Sequence, residues 1–315
     1  MARNGSVFEL SEPELDRLLA QVPALSREPR TVELLPGGLT NRNAKVTTPD
    51  GVYVARCSDD NAEDLDIDRA VEFENTRAAA EAGVGAPVVD FRPDLRVLVI
   101  GYVEGRTLGN ADFRRPGFLP RAAAALRQLH EGPRFTGEFD MFERQRRYRE
   151  RCRSQGFPIA EGYDDHADSF AEIRRALGVL PVDTVPCNND LLAENFIEDG
   201  DRIHLIDYEY SGNNDPFFEL GNTWTETGLE PEHLEELVTA YVGRAQPHLV
   251  ARAHLQAIVS QYGWSLWGFI QQALSPFDYD FHGWGMERYE GAVEEMRSPG
   301  FGALLEAATT PERSP

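Results

Sequence analysis

With 315 residues and an apolar fraction of 41%, the chain is long enough for substantial cores, which excludes an intrinsically disordered class. A net charge of −22 repels phosphate backbones and anionic bilayers, so neither a nucleic acid nor a membrane is expected as partner, whereas a small cation is attracted. Cys57, Cys152 and Cys187 are widely spaced and form no disulfide or zinc motif; with no apolar signal core at the N-terminus and no run of about 20 apolar residues, a cytoplasmic protein is expected.

In chain order, residues 10–21 predict a short amphipathic helix, with Ser11 as N-cap and Glu14 as its capping-box partner. The stretch TVELLPGGLTNRNAKVTTPDGVYVARC reads as strand, glycine turn, strand, Pro-Asp-Gly turn, strand. After Gly37-Gly38, the small donors Thr40 and Asn41 stand on flexible backbone suited to covering nucleotide phosphates, although no Walker A Gly-Lys-Ser/Thr element follows. Residues 64–83 predict a helix that Gly83 stops and from which Glu72 projects. Arg56, on the preceding strand, is its natural partner. Two further strands follow within 86–108, and a boundary is expected near Val103 to Gly105. A helix over 117–131 ends near His130, expected to be structural, and the Arg-rich FERQRRYRERCRSQG predicts a helix with a solvated face. No chemistry is expected from residues 134–180.

The densest signal is PCNNDLLAENFIEDGDRIHLIDYEYSGNNDPFFELGN, residues 186–222. Two apolar segments flank the turn Glu198-Asp199-Gly200-Asp201 and predict a hairpin with polar side chains at its mouth. Asp190 precedes Asn195 by five residues and Asp207 ends the second segment, a trio suited to one base and two oxygen ligands for Mg2+. This stretch resembles the catalytic and metal-binding loops of the aminoglycoside phosphotransferase and choline kinase superfamily, relatives of the protein kinases.

The resemblance implies an α+β, bilobal protein-kinase-like fold, with a small β-rich N-lobe over 1–103 and a larger, mainly helical C-lobe over 104–315. It implies that Asp190 is the catalytic base, that Asn195 and Asp207 hold Mg2+, and that ATP is the phosphoryl donor. Arg56 then grips phosphates where protein kinases use lysine, Glu72 orients it, and LPGGLTNRN sets Thr40 and Asn41 near the phosphates. Asn188 replaces the usual histidine of the H-x-D motif and, like it, can donate and accept hydrogen bonds.

Nearer the C-terminus, AHLQAIVSQYGWSLWGFIQQALSPFDYDFHGWGMERY predicts a helix whose aliphatic arc includes Leu255, Ile258, Val259, Tyr262, Leu266, Phe269 and Ile270. Trp264 and Trp267 fall on the opposite side among small and polar residues, which points to a second buried face lining a cavity. An indole-walled cavity suits an alkylated ammonium, and Phe277, Tyr279, Phe281 and Trp284 are near enough in sequence to close it. The pattern resembles the choline-binding end of choline and ethanolamine kinases. That likeness implies Trp264, Trp267, Phe281, Trp284 and the acidic Glu226 as substrate-site residues, with Glu219 and Asn222 supporting the loop. The expected function is an ATP- and Mg-dependent kinase for the hydroxyl of choline or a related amino alcohol. The alternatives are a kinase for another hydroxylated amine, ethanolamine or an aminoglycoside, and a nucleotide-binding pseudokinase.

Overall fold

The computed structural model of the chain describes residues 6–59, 64–200 and 202–311. Asp201 of the expected hairpin turn, residues 60–63 and both chain ends lie outside the described residues. The first helix, α1 (Glu12–Leu19), starts with the expected capping box: the Ser11 N–H donates to Glu14 Oε2 at 2.8 Å. A sheet follows from β1 (Thr31–Leu34), β2 (Asn41–Thr48), β3 (Gly51–Ser58), β4 (Val88–Arg92) and β5 (Val97–Gly101), paired antiparallel in the order β1-β2-β3-β5-β4.

Alternation along these strands sorts the residues by face. Ala55, Cys57, Val97 and Val99 pack with Leu15, Leu19, Val22 and Leu25 from the N-terminal segment. Leu98 and Ile100 point the other way, where they pack with Val54, Phe73 and Phe91. Arg56 shares the parity of Val54 and therefore faces α2 (Arg69–Glu81), which Gly83 terminates with a φ of 82°.

The chain leaves the five-stranded sheet after Gly101, and β6 (Arg106–Thr107) already belongs to a second sheet, β6-β8-β9, with β8 (Phe196–Asp199) and β9 (Arg202–Leu205) as the expected hairpin. A third ladder pairs β7 (Val185–Cys187) with β10 (Gly212–Asn214). Helices make up the rest: α3 (Phe118–His130), α4 (Met141–Gln155), α5 (Ala167–Leu177), α6 (Pro216–Glu226), α7 (Pro231–Val242), α8 (Pro247–Leu274), α9 (Phe281–Arg297) and α10 (Phe301–Thr309). The longest, α8, spans 28 residues and packs against α4, α6, α9 and α10. No helix among the described residues is long and apolar enough to cross a membrane.

Helix α4 has the expected solvated face, with Arg146, Arg147, Glu150 and Arg153 exposed, while its stripe Met141, Arg144, Tyr148 and Cys152 is buried. Arg144 lies over the rings of Phe139, Tyr148, Tyr210 and Trp264 at 5.0 to 5.8 Å, and its Nη1 donates to Leu65 O and Tyr148 Oη. A guanidinium that is hydrogen-bonded and faces aromatic rings can be buried at tolerable cost.

Candidate active site

The loop after β7 is fixed from beneath by α6. Glu219 Oε1 accepts hydrogen bonds from the backbone N–H groups of Asn188 (2.7 Å) and Asn189 (3.2 Å), and Asn222 Oδ1 accepts from the Leu191 N–H at 2.9 Å. The other Glu219 oxygen meets His130 Nε2 at 2.5 Å, and His130 Nδ1 meets Tyr241 Oη at 2.7 Å, so His130 is structural as expected. Asn189 takes a left-handed φ of 70°, a conformation asparagine tolerates better than most side chains.

Asn188 joins two loops. Its Oδ1 accepts from the Asp190 N–H at 3.1 Å, while its Nδ2 donates to Ile206 O at 3.1 Å and Asp207 O at 2.8 Å. Asn195 Nδ2 donates to Asp190 O at 2.7 Å, so the amide is oriented by the loop that carries the carboxylate. Burial pushes the Asp190 carboxyl well above the usual carboxylate range; the charges of Asp207, Glu226 and Glu209 push it further, and Arg288 acts in the opposite direction.

An alternating chain of charges crosses from the five-stranded sheet to the loop after β9. Arg56 Nη2 donates to Glu72 Oε1 at 3.1 Å and to Asp207 Oδ1 at 2.5 Å. Arg69 Nη1 continues the chain to Glu72 Oε2 (2.7 Å) and Glu209 Oε2 (3.0 Å). Burial alone would lower the basicity of Arg56, but Asp207 and Glu72 outweigh it and hold the guanidinium above its ordinary value. Asp207 itself sits at a left-handed φ of 64°.

Thr40 Oγ1 and Asn41 Nδ2 donate to Glu209 at 2.6 and 2.8 Å, which fastens the glycine turn to the same cluster. Burial first, and then the charge of Asp207, raises the Glu209 carboxyl. Glu209 is a residue the sequence reading missed. Its signal was the close Asp207-x-Glu209 spacing, two carboxylates in the short segment after β9.

The aromatic candidates form a second cluster. Trp267 and Trp284 have ring centroids 5.1 Å apart, Phe281 lies 5.8 Å from Trp267, and Trp267 Nε1 donates to Tyr210 Oη at 2.7 Å. This approach depends on Gly268: a Cβ there would fall 2.8 Å from Phe281 O and 3.0 Å from Trp284 Cε3. Trp264 is 3% exposed and packs on Phe139 (6.2 Å) and Tyr210 (4.9 Å), so Tyr210 links it to Trp267.

Glu226, at the end of α6, is joined by Arg288: Nε donates to Oε1 at 3.1 Å and Nη2 donates to Oε2. The Arg288 guanidinium lies 3.4 Å from the Trp284 ring centroid. Arg288 was also missed, although Trp284-x-x-x-Arg288 is a same-face helical spacing. The structure thus brings Thr40, Asn41, Arg56, Glu72, Asp190, Asn195 and Asp207 into one hydrogen-bonded network, and Glu226, Trp284, Trp267 and Phe281 into a second cluster held by the Arg288 ion pair and by ring contacts; Trp264 joins the second through Tyr210.

The model for the phosphotransferase enzyme family matches residues 31–254. LicA of Haemophilus influenzae is 28% identical over 225 residues; the match takes in 67% of this chain and 63% of LicA, so the chain spans less than two thirds of that relative. The crystal structure of a choline/ethanolamine kinase family protein from Mesorhizobium loti superposes with a TM-score of 0.83 at 31% identity, covering 94% of this chain and 98% of that one. A structure of LicA in complex with AMP superposes at 0.73 with 25% identity, over 94% of this chain and 100% of that one. The chain belongs to the phosphotransferase enzyme family and, within that protein-kinase-like fold, to the choline/ethanolamine kinase type.

Proposed function

We propose that this protein is a cytoplasmic kinase that uses ATP and Mg2+ to phosphorylate the hydroxyl of choline or a related amino alcohol. The observation that carries the reading is that the loop carrying Asp190 is tied both to the charged network and to the helix that bears Glu226. Asn188 makes the tie to Asp207, and α6, whose far end is Glu226, supports the loop from beneath. Residues 1–103 would then cover the nucleotide, and 104–315 would carry the catalytic loops and the amine site.

In this reading Asp190 accepts the proton of the attacking hydroxyl. The crowd of carboxylates around it favours its protonated form, and an ammonium bound on the Glu226 side supplies the positive charge that favours the ionised base. Arg56, held by Glu72 and Asp207, presents a fixed guanidinium to the phosphates. Asp207 and Glu209, whose carboxylate oxygens lie within 4.8 Å of each other, and the Asn195 amide oxygen would be the oxygen ligands Mg2+ takes; bound there, it would supply neutralisation of phosphate charge. Trp267, Phe281 and Trp284 offer ring faces to the cationic head, and Trp264 steadies Tyr210 against Trp267. The Asn188 side chain bonds both loops, which favours a working enzyme over a pseudokinase.

The test is ADP release measured with choline, ethanolamine, their methylated intermediates and an aminoglycoside. Asp190→Asn is expected to lose roughly 10²- to 10⁴-fold in kcat while still binding nucleotide. Full turnover by that variant would overturn the assigned base, and turnover of the aminoglycoside alone would overturn the substrate class.

A further inference from the structure

The glycine turn is fastened at both ends. Thr40 and Asn41 tie it to Glu209. At the preceding residue, Leu39 O accepts a hydrogen bond of 3.2 Å from Gln271 Nε2, on the last turn of α8, and the Leu39 side chain packs against the core cluster that includes Trp264, Trp267 and Phe281. Gln271 follows Trp267 by four residues, so both lie on one face of the helix. Close by in the chain, Phe8 meets Phe277 edge-on at 4.7 Å, which joins the N-terminal segment to the connection between α8 and α9. Gly37 and Gly38 both take a left-handed φ of 86°, and a Cβ at Gly38 would fall 2.7 Å from Asn41 O, so the turn keeps this shape only with glycine.

Packing alone does not account for a glutamine at this position. Its side chain is fully buried, yet its Oε1 has no hydrogen-bond partner among the described residues, and an unpaired buried polar atom is costly. Leucine fills a similar volume without that cost. What glutamine adds is the N–H donor that Leu39 O requires. That bond spans 232 positions of sequence and joins the turn assigned to the nucleotide to the helix assigned to the head group.

We propose that Gln271 is a positioning residue: its amide holds the glycine turn docked on α8, in the arrangement that both the nucleotide and the amine bind. The proposal rests on the kinase reading above and deepens it. Undocking takes Thr40 and Asn41 away from the phosphates and Leu39 away from the tryptophan cluster, so each ligand binds the docked form better. With Gln271 in place the docked form predominates, and neither ligand gains from the other. Without it, either ligand alone must first recover the docked form, and the second then meets a turn already in place.

The test is calorimetric titration of a non-hydrolysable ATP analogue with Mg2+ into the wild type and Gln271→Leu, without and with saturating choline (or ethanolamine, if only that amine is turned over). In the wild type the amine is expected to leave the nucleotide Kd within about twofold. In the variant the nucleotide alone is expected to bind about tenfold more weakly, and the amine to restore most of that loss. Leu39→Ala, which shortens a half-buried side chain and keeps the carbonyl, is expected to show the same pattern to a smaller degree. Misfolded protein lowers the binding stoichiometry and cannot produce a loss of affinity that the amine reverses. An unchanged nucleotide Kd in Gln271→Leu, or a loss that the amine does not reverse, overturns the role of Gln271 and leaves the kinase reading standing. Failure of the wild type to bind the analogue overturns the kinase reading, and the role of Gln271 with it.

Discussion

In the first network Asp207, Arg56, Glu72, Arg69 and Glu209 alternate in sign and come from β3, α2 and the loop after β9. In the second cluster, the groups that meet come from α6, α8 and α9, and their approach depends on close helix packing as much as on charge. The first network therefore joins distant parts of the chain through ion pairs whose loss leaves charges buried. The second is a product of helix crossing, and its geometry changes with any side chain that pushes α8 and α9 apart. The difference teaches where each half of the site is vulnerable.

The largest expected effect is on the first network. Arg56→Met leaves Glu72 and Asp207 facing each other without their shared cation, and removing one partner of a buried pair costs about 3–5 kcal/mol. A large drop in melting temperature and loss of ATP-dependent turnover are expected. Unchanged thermal stability would break the comparison, because it would mean that the charges do not hold the sheet to the loops.

Gly268→Ala probes the second network by packing alone. The new Cβ would meet backbone on α9 at 2.8–2.9 Å, and such overpacking costs about 1–3 kcal/mol. As α9 gives way, Trp284 moves from Trp267, so KM for the amine should rise more than kcat falls. Equal losses in both constants would show that the crossing serves the whole lobe instead of the head-group end.

The smallest effect is expected on the hairpin between Asn195 and Asp207. Burial pushes the Glu198 carboxyl up, but hydrogen bonds from Arg121, Arg115 and Arg106 outweigh this and hold it at about 2. Its folded value thus lies below the unfolded value of about 4.3. The stability it contributes is fully present above that unfolded value and is lost as pH falls toward about 2. The partner arginines are substantially exposed, so the gain is modest. Melting temperatures between about pH 5 and pH 2.5 should fall less in Glu198→Gln than in the wild type; parallel curves would remove Glu198 from the account.

The sequence exposed the two halves unequally. The hairpin was legible because a Glu-Asp-Gly turn between apolar segments is a local signal, and Arg56 with Glu72 was legible because a strand cation followed by a helix carboxylate matches a known arrangement. Glu209 was not, since its donors Thr40 and Asn41 lie far away in sequence and come close only through the fold. Arg144 was hidden among exposed arginines of the same helix; only its position on the Met141–Tyr148–Cys152 stripe set it apart. Trp264 shows another limit: α8 is buried on both its aliphatic and its tryptophan faces, so a helical wheel could not separate packing against Arg144 and Tyr210 from exposure to a cavity.

Helix α6 supports the Asp190 loop at Glu219 and Asn222 and ends at Glu226. Glu226 lies four residue steps beyond Asn222 along the helix, a rise of about 6 Å. On the proposed reading the helix acts as a ruler between the atom that is deprotonated and the charge that is recognised. A stiff ruler of one turn measures out a short linker between nitrogen and hydroxyl, and it makes chain length, independently of head-group methylation, a property the protein can read.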